Sequence, residues 1–310
     1  MKTEQLTIFF ERIHDALSAT SGEVRRLFHG RGRRYHGLEQ ITCDWVDKQL
    51  LVSVFRDIDD DFLRALQEGL IALSATPVWE EKGGRCIVIQ HRYAQGTPSE
   101  VLVGELNTSP VVRESGLKYQ LDIGRNQNFG LFLDMRFGRD WVRANSKQKK
   151  VLNLFAYTCG FSVAAIEGGA ELVVNVDMAK SSLSKGRDNH RLNEHNVKQV
   201  KFIGHDIFKS WGKIRNTGPY DLVIIDPPSF QKGSFALTTD YKKILRRLPE
   251  LLSEQGEVLA CVNSPQVGSD FLIETMKDEA PALDFVERLT NPPEFADVDS
   301  EAGLKVMLFR

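Results

Sequence analysis

The chain has 310 residues, and its 40 Lys and Arg against 42 Asp and Glu leave a formal net charge of −2. At 42% hydrophobic and 26% charged it has an ordinary globular composition, and it is long enough to bury a core without disulfide staples. It contains no apolar run of membrane-spanning length and no signal-peptide core, and Cys43, Cys86, Cys159 and Cys261 form no Cys-x-x-Cys pair, so the expectation is a cytoplasmic protein with no membrane span, no disulfide framework and no metal.

Leu6, Phe9, Phe10, Ile13 and Leu17 fall at helical spacing and predict an amphipathic helix over residues 3–20. A basic run follows, from Arg25 to Gly37, with five arginines, two histidines, two aromatics and no acid. Guanidinium forks match phosphate geometry and stack on bases, which makes Arg31, Arg33 and Arg34 candidate RNA contacts. The same run also reads as a solvated turn that neutralises the acidic tract Asp57–Asp61. Leu50–Phe55 reads as a strand, Asp61–Leu73 as a helix with Phe62, Leu63, Leu66, Leu70 and Leu73 on one face, and Arg85–Gln90 as a strand after Gly83-Gly84. Short strands continue through Glu100–Leu106 and Leu117–Ile123. Residues 1–120 thus form a small α+β region, and 121–310 a second domain.

From Lys150 the pattern alternates. Val151–Phe155, Leu172–Val176, Val200–Ile203, Tyr220–Ile225 and Glu257–Val262 read as strands, separated by helices at Phe161–Gly168, Lys180–Asn193 and Tyr241–Leu252. Such alternation predicts a parallel sheet covered on both faces, with Phe285–Leu289 and Leu304–Phe309 as a final antiparallel pair.

Ligands of such a sheet bind at the carboxyl ends of its strands, so the residues just beyond each strand are the candidates. The turn Asn153–Ser162 has one glycine and lacks the Gly-x-Gly-x-x-Gly of a pyrophosphate site, which counts against a nicotinamide dehydrogenase. Asp177 can accept hydrogen bonds from both hydroxyls of an adenosine ribose; an acid there also caps a following helix. Asp206 can accept from an adenine amine with Ile207 against the ring, or serve only as a cap. Asp226-Pro227-Pro228-Ser229-Phe230 is the most specific stretch. Its prolines remove backbone donors and leave carbonyls free. Asp226 and the Pro227 carbonyl can hold a base nitrogen through its protons, while Phe230 stacks on the flipped base.

These stretches resemble the class I S-adenosylmethionine-dependent methyltransferases, and more closely the 23S ribosomal RNA large-subunit methyltransferases. The matching segments are Gln127–Arg136, Asn153–Thr158, Asp177-Met178 and Asp226–Phe230. The resemblance implies an α/β, Rossmann-like seven-stranded sheet with its last strand antiparallel, beside the smaller N-terminal α+β domain. It implies contacts to S-adenosyl-L-methionine at Phe155, Ala156, Tyr157, Thr158, Asp177, Met178, Asp206, Ile207 and Asp226, with Gln127, Phe132 and Arg136 on a segment that covers the cofactor.

Family members that methylate carbon-5 of a pyrimidine carry a cysteine nucleophile just past the fifth strand, and Asn263 stands in that place here. Cys261, two residues earlier, falls within the strand as an inert, buried thiol. Carbon-5 needs covalent activation and a nitrogen lone pair does not. The expectation is therefore direct transfer to a base nitrogen of RNA, with Asn263 near the substrate. A methyltransferase acting on a protein or small molecule, and an inactive RNA-binding module with this fold, stay open, as does the oligomeric state, a dimer included.

Overall fold

The computed structural model describes residues 3–124, 128–228, 230–231 and 235–310. Its Cα packing separates two units, one of residues 1–133 with 293–299 and one of residues 134–292 with 300–310. Position 120, the end of the first domain expected from the sequence, is the last residue of a strand inside the first unit.

The first unit holds a five-stranded sheet in the order β1 (Arg25–His29), β2 (Ile41–Val46), β3 (Gln49–Val54), β4 (Cys86–His91), β5 (Ser99–Gly104), with β3 and β4 parallel and the other pairs antiparallel. Helices α1 (Leu6–Ala19), α2 (Asp60–Leu73) and α3 (Pro77–Glu81) pack on one face, where Phe9, Ile13 and Leu17 meet Phe62, Leu66, Trp45, Val52 and Ile89. Thr76 and Asp59 cap α3 and α2 by accepting from the Trp79 and Phe62 N–H groups. Alternation along the strands sends the polar residues Thr42, Asp44, Ser53 and Gln90 to the opposite side of the same buried sheet. A hairpin of β6 (Val111–Glu114) and β7 (Leu117–Gln120) follows.

The basic run differs from the turn that its composition suggests. Its first five residues are strand β1, with Leu27 and Phe28 buried, and a short 3-10 turn spans Gly30–Gly32. Gly30 is required there because a Cβ would lie 1.8 Å from the Leu38 carbonyl oxygen. Among the described residues the run's arginines make their ion pairs not with the acidic tract but with Glu23, Asp44, Glu294 and Asp297, while Asp59 caps α2 and Asp61 pairs with Arg64.

The second unit begins with α4 (Arg136–Asn145) and then alternates β8 (Lys150–Leu154), α5 (Gly160–Glu167), β9 (Leu172–Val176), α6 (Lys180–Leu192), β10 (Val200–Ile203), α7 (Trp211–Arg215) and β11 (Tyr220–Ile225). A two-residue ribbon, β12 (Phe230–Gln231) with β13 (Phe235–Ala236), precedes α8 (Leu237–Leu245), α9 (Leu248–Leu251), β14 (Leu252–Val262), α10 (Ser269–Glu279), β15 (Phe285–Leu289) and β16 (Lys305–Phe309). The single helix expected over Tyr241–Leu252 is two, because Pro249 at the start of α9 cannot continue the preceding hydrogen-bond ladder.

Seven strands form one sheet in the order β10-β9-β8-β11-β14-β16-β15, with β16 antiparallel to both its neighbours. Successive strand residues alternate between two cores, as burial on both faces demands. Leu152, Leu154, Val223, Ile225, Val258 and Ala260 join Ile214, Tyr241, Ile244 and Met276 on one side, and Val151, Leu222, Ile224 and Leu259 join Val142, Phe161 and Ile166 on the other. Among the described residues no helix is long and apolar enough to cross a membrane, and no group of three His, Cys, Asp or Glu could hold a metal. Cys43, Cys86, Cys159 and Cys261 are all free and buried.

Candidate active site

The chain lays down β8, then β9 and β10 outward on one side, then crosses to β11 and β14 on the other. The order therefore reverses between β8 and β11, which is where a doubly wound sheet opens a crevice at its carboxyl rim. The register fixes which residues meet there. Leu154 pairs with both Val176 and Ile225, Val176 pairs with Ile203, and Ile225 pairs with Ala260. Phe155, Asp177, Gly204, Asp226 and Cys261 are thus the next residues of five adjacent strands, at one level of the sheet.

The loop leaving β8 is unusual in its backbone. Phe155, Tyr157 and Cys159 have φ of 56°, 47° and 63°, the left-handed region that residues with a Cβ rarely adopt. The Ala156 N–H donates to the Val176 carbonyl (3.1 Å), the Cys159 N–H to the Ala156 carbonyl (2.7 Å), and the Tyr157 N–H to Asp177 Oδ2 (2.8 Å). Ala156, Thr158 and Cys159 are buried, and Phe155 and Tyr157 are partly exposed. Helix α6 presses on the loop through Gly186, where a Cβ would stand 2.3 Å from Cys159 Sγ. Strain of this kind persists only where the surroundings over-determine it.

Asp177 ends β9 with both carboxylate oxygens engaged, Oδ2 by Tyr157 and Oδ1 by the Ala179 N–H at 2.8 Å. It serves as the local turn anchor at the start of α6 and also ties two post-strand loops together. Each oxygen keeps a further lone pair. Met178 beside it is exposed for a large apolar residue, at 49%. After β10, Asp206 accepts from the Phe208 N–H (2.9 Å) and caps a short 3-10 turn, with Ile207 buried in the core beneath.

Asp226 ends β11, partly exposed, with Pro227 buried beside it. Burial and the like charge of Asp134 push its carboxyl up to about 7, against the pull of Arg139. Asn263, exposed just past β14, donates from Nδ2 to Asp134 Oδ2 at 3.4 Å. Below them the Tyr241 hydroxyl lies 3.3 Å from the Ile225 carbonyl and 3.1 Å from that of Cys261, so it bridges the ends of β11 and β14. Cys261 is buried in β14, where burial raises its thiol well above its usual value.

The structure thus brings Phe155, Ala156, Tyr157, Thr158, Asp177, Met178, Asp206, Ile207, Asp226, Pro227 and Asn263 to one rim of the second unit. Arg136 starts α4 in that unit and is buried. Phe132 is 43% exposed and belongs to the first unit, as do Arg31, Arg33 and Arg34. Gln127 lies outside the described residues, and for Phe230 only the backbone, in β12, is described. Sequence reasoning missed Asp134, Arg139 and Tyr241. A buried Arg139 one turn from Arg136 on a helix with charged and apolar faces was the available sign, but helical spacing alone does not separate it from a surface arginine.

Residues 25–310 match the model of a family described as S-adenosylmethionine-dependent methyltransferase. A putative ribosomal RNA large subunit methyltransferase of Bacillus subtilis is 29% identical over 296 residues, covering 89% of this chain and 70% of the relative. Ribosomal RNA large subunit methyltransferase I of Aeromonas salmonicida is 38% identical over 164 residues, 51% of this chain and 41% of the relative, so the chain spans well under half of that protein. A crystal structure of a putative methyltransferase complexed with SAH superposes with a TM-score of 0.83 at 25% identity, covering 99% of this chain and 80% of that one.

Proposed function

The chain belongs to the S-adenosylmethionine-dependent methyltransferases, and on that footing we propose that it methylates a base nitrogen of ribosomal RNA. When bound, S-adenosylmethionine supplies an electrophilic methyl group on a sulfonium. The rim suits that cofactor. Asp177 offers acceptors for a ribose diol, the exposed Met178 offers apolar surface to a purine, Asp206 lies one strand further out with Ile207 buried beneath it, and the sequence has no glycine-rich phosphate cradle after the first strand. Phe155–Thr158 and Arg136 complete the proposed cofactor contacts, with Gln127 and Phe132 on the preceding segment.

The observation that carries the nitrogen assignment is Asp226-Pro227 placed next to Phe155 across the reversal of strand order, with Asn263 just past β14 and the thiol of Cys261 buried within the strand. Asp226 and the Pro227 carbonyl accept the hydrogens of an amine or ring N–H and so orient its lone pair. Phe230 supplies the stacking surface. Transfer would break the methyl–sulfur bond as the N–C bond forms, leaving the neutral thioether, and Asp226 would take the nitrogen proton, a task to which its raised pKa suits it near neutrality. The remainder is positioning. The names of the two curated relatives and the arginine-rich run support RNA as substrate, with residues 1–120 as its docking region.

The test is to incubate the protein and isotopically labelled S-adenosylmethionine with ribosomal RNA from cells lacking the gene, then to digest and identify nucleosides by mass spectrometry. One labelled N-methylated nucleoside is expected. A carbon-5 methylpyrimidine overturns the nitrogen assignment, and label confined to protein or small molecules overturns RNA.

A further inference from the structure

The arginines of the basic run do not act as one patch. Arg25 is paired with Glu23 and Glu294, and Arg33 with Asp297 at 2.9 Å. Arg34 lines a separate cavity of about 330 Å³ with Arg12, Asp15, Tyr35 and Glu294. Arg31 belongs with residues far from it in sequence. Register places His29 opposite Thr42, Thr42 opposite Ser53, and Ser53 opposite Gln90, so the turn holding Arg31, Phe55 just after β3 and Arg92 just after β4 share one end of the five-stranded sheet. There the Arg31 guanidinium lies 4.4 Å from the centre of the Phe55 ring and that of Arg92 lies 5.3 Å from it.

The charge at this spot is unbalanced. The buried carboxylate nearby, Asp44, is taken by Arg26 (Nε to Oδ1, 2.5 Å). Among the described residues neither Arg31 nor Arg92 has a carboxylate within ion-pair distance, and the buried Nε of Arg92 has no hydrogen-bond partner. His29, 2.8 Å from the Arg26 guanidinium, brings no countercharge. Burial and the neighbouring Arg26 and Arg56 disfavour the charge of Arg31; burial and Arg31 disfavour that of Arg92, which Asp44 offsets in part. Arg31 is exposed and Arg92 half-buried, so two like charges meet over one ring with no carboxylate at ion-pair distance from either among the described residues, an arrangement that suits an incoming anion. The ring of Phe55 fixes the two forks by cation–π contact, so little freedom is left to lose on binding.

We propose that Arg31 and Arg92, seated on Phe55, form a phosphodiester-binding site that holds the backbone of the RNA substrate; the RNA identity of the ligand rests on the function proposed above. Arginine forks donate to two phosphate oxygens at once, and a phosphodiester, unlike a carboxylate side chain, arrives in a repeating strand that brings its charge to the two guanidiniums.

The experiment measures binding of the full chain to a fluorescent ribosomal RNA fragment across salt concentrations, for wild type, Arg31→Ala, Arg92→Ala and the double variant. Arg64→Ala, an exposed α2 arginine paired with Asp61, serves as the control. Calorimetric binding of S-adenosylmethionine by each variant reports that it is folded. Each alanine should weaken RNA binding by about tenfold and reduce the slope of log affinity against log salt by about one, while Arg64→Ala changes neither. Unchanged slopes in Arg31→Ala and Arg92→Ala, with RNA still methylated, overturn the site and leave the function standing. Reduced slopes with no RNA nucleoside methylated support the site and overturn the function. A wild type with no salt-dependent RNA affinity overturns both.

Discussion

The Tyr157 N–H donates to Asp177 Oδ2 at 2.8 Å, and this one bond joins the loops that leave two neighbouring strands. The carboxylate thus fixes a left-handed residue of the first loop while keeping lone pairs for a ligand. Asp177→Ala should weaken S-adenosylmethionine binding by at least about tenfold, through both the lost ligand contact and the loosened loop. Asp177→Asn, which keeps one oxygen, should lose less. Titration calorimetry on both variants checks the order, and equal affinities in wild type and Asp177→Ala would remove this carboxylate from the site.

Asp226 and Asp134 make the methyl-transfer rate depend on pH in a stated direction. With Asp226 pushed up to about 7, it is protonated below neutrality and cannot accept the nitrogen proton. Single-turnover rates should climb as pH rises toward about 7 and then level. Asp134→Asn removes the like charge that contributes to the raised value, so the acid limb should move to lower pH. A limb that does not move in Asp134→Asn would separate the two carboxyls.

Cys261→Ala should leave turnover within about twofold of wild type, because a thiol buried in the sheet and held protonated is no nucleophile. Rate measurement with the RNA substrate decides it. A loss of several hundredfold would restore covalent chemistry at carbon-5.

His190 gives the fold its own acid sensitivity. It is buried, its Nε2 lies 2.9 Å from Ser162 Oγ and its Nδ1 lies 3.0 Å from His195 Nδ1, and His195 in turn reaches Glu167 at 3.3 Å. Burial first, then His195, lowers His190 from 6.5 to about 3. Between those values the unfolded chain binds more protons than the native one, so stability should fall as pH drops from about 6.5 toward 3. His29, lowered to about 3 chiefly by burial, acts in the same window. Urea midpoints at pH 7 and pH 5 should differ less in His190→Gln than in wild type; an equal difference would place the sensitivity elsewhere.

Gly186→Ala tests the packing of α6 on the strained loop. Its methyl group would meet Cys159 Sγ and Cβ at 2.3 and 2.8 Å. A cost of about 1–3 kcal/mol is expected for such overpacking, along with weaker cofactor binding because the displaced residues belong to the loop. Full stability of the variant would show that the loop yields freely.

The sheet of the second unit was legible because its central strands are buried on both faces and read as apolar runs, as in Leu222–Ile225, whereas β10 and β15 at its edges are more exposed. Its rim was legible for the same reason: once the strands are placed, Asp177 and Asp226 follow by position. What stayed hidden depends on contacts distant in sequence. Asp44, a buried acid in the middle of strand β2, is explained only by Arg26 on β1. Phe55 looked like the end of an apolar strand, and nothing in its neighbours announced two arginines on its ring. Asp134 and Asn263 are 129 residues apart, and their hydrogen bond exists only through the order of the sheet.

The first unit takes residues 293–299 from between β15 and β16. Through them Glu294 meets Arg25, Phe295 meets the Arg26 guanidinium at 4.9 Å, Asp297 meets Arg33, and the Val298 N–H donates to the Gly32 carbonyl. During synthesis the five-stranded sheet therefore emerges early and waits, its arginine-bearing strand lacking these partners, while the whole of residues 134–292 is made. A fragment cut after residue 133 would carry that same incompleteness permanently, so the anion-binding properties of the first unit are to be measured on the intact polypeptide.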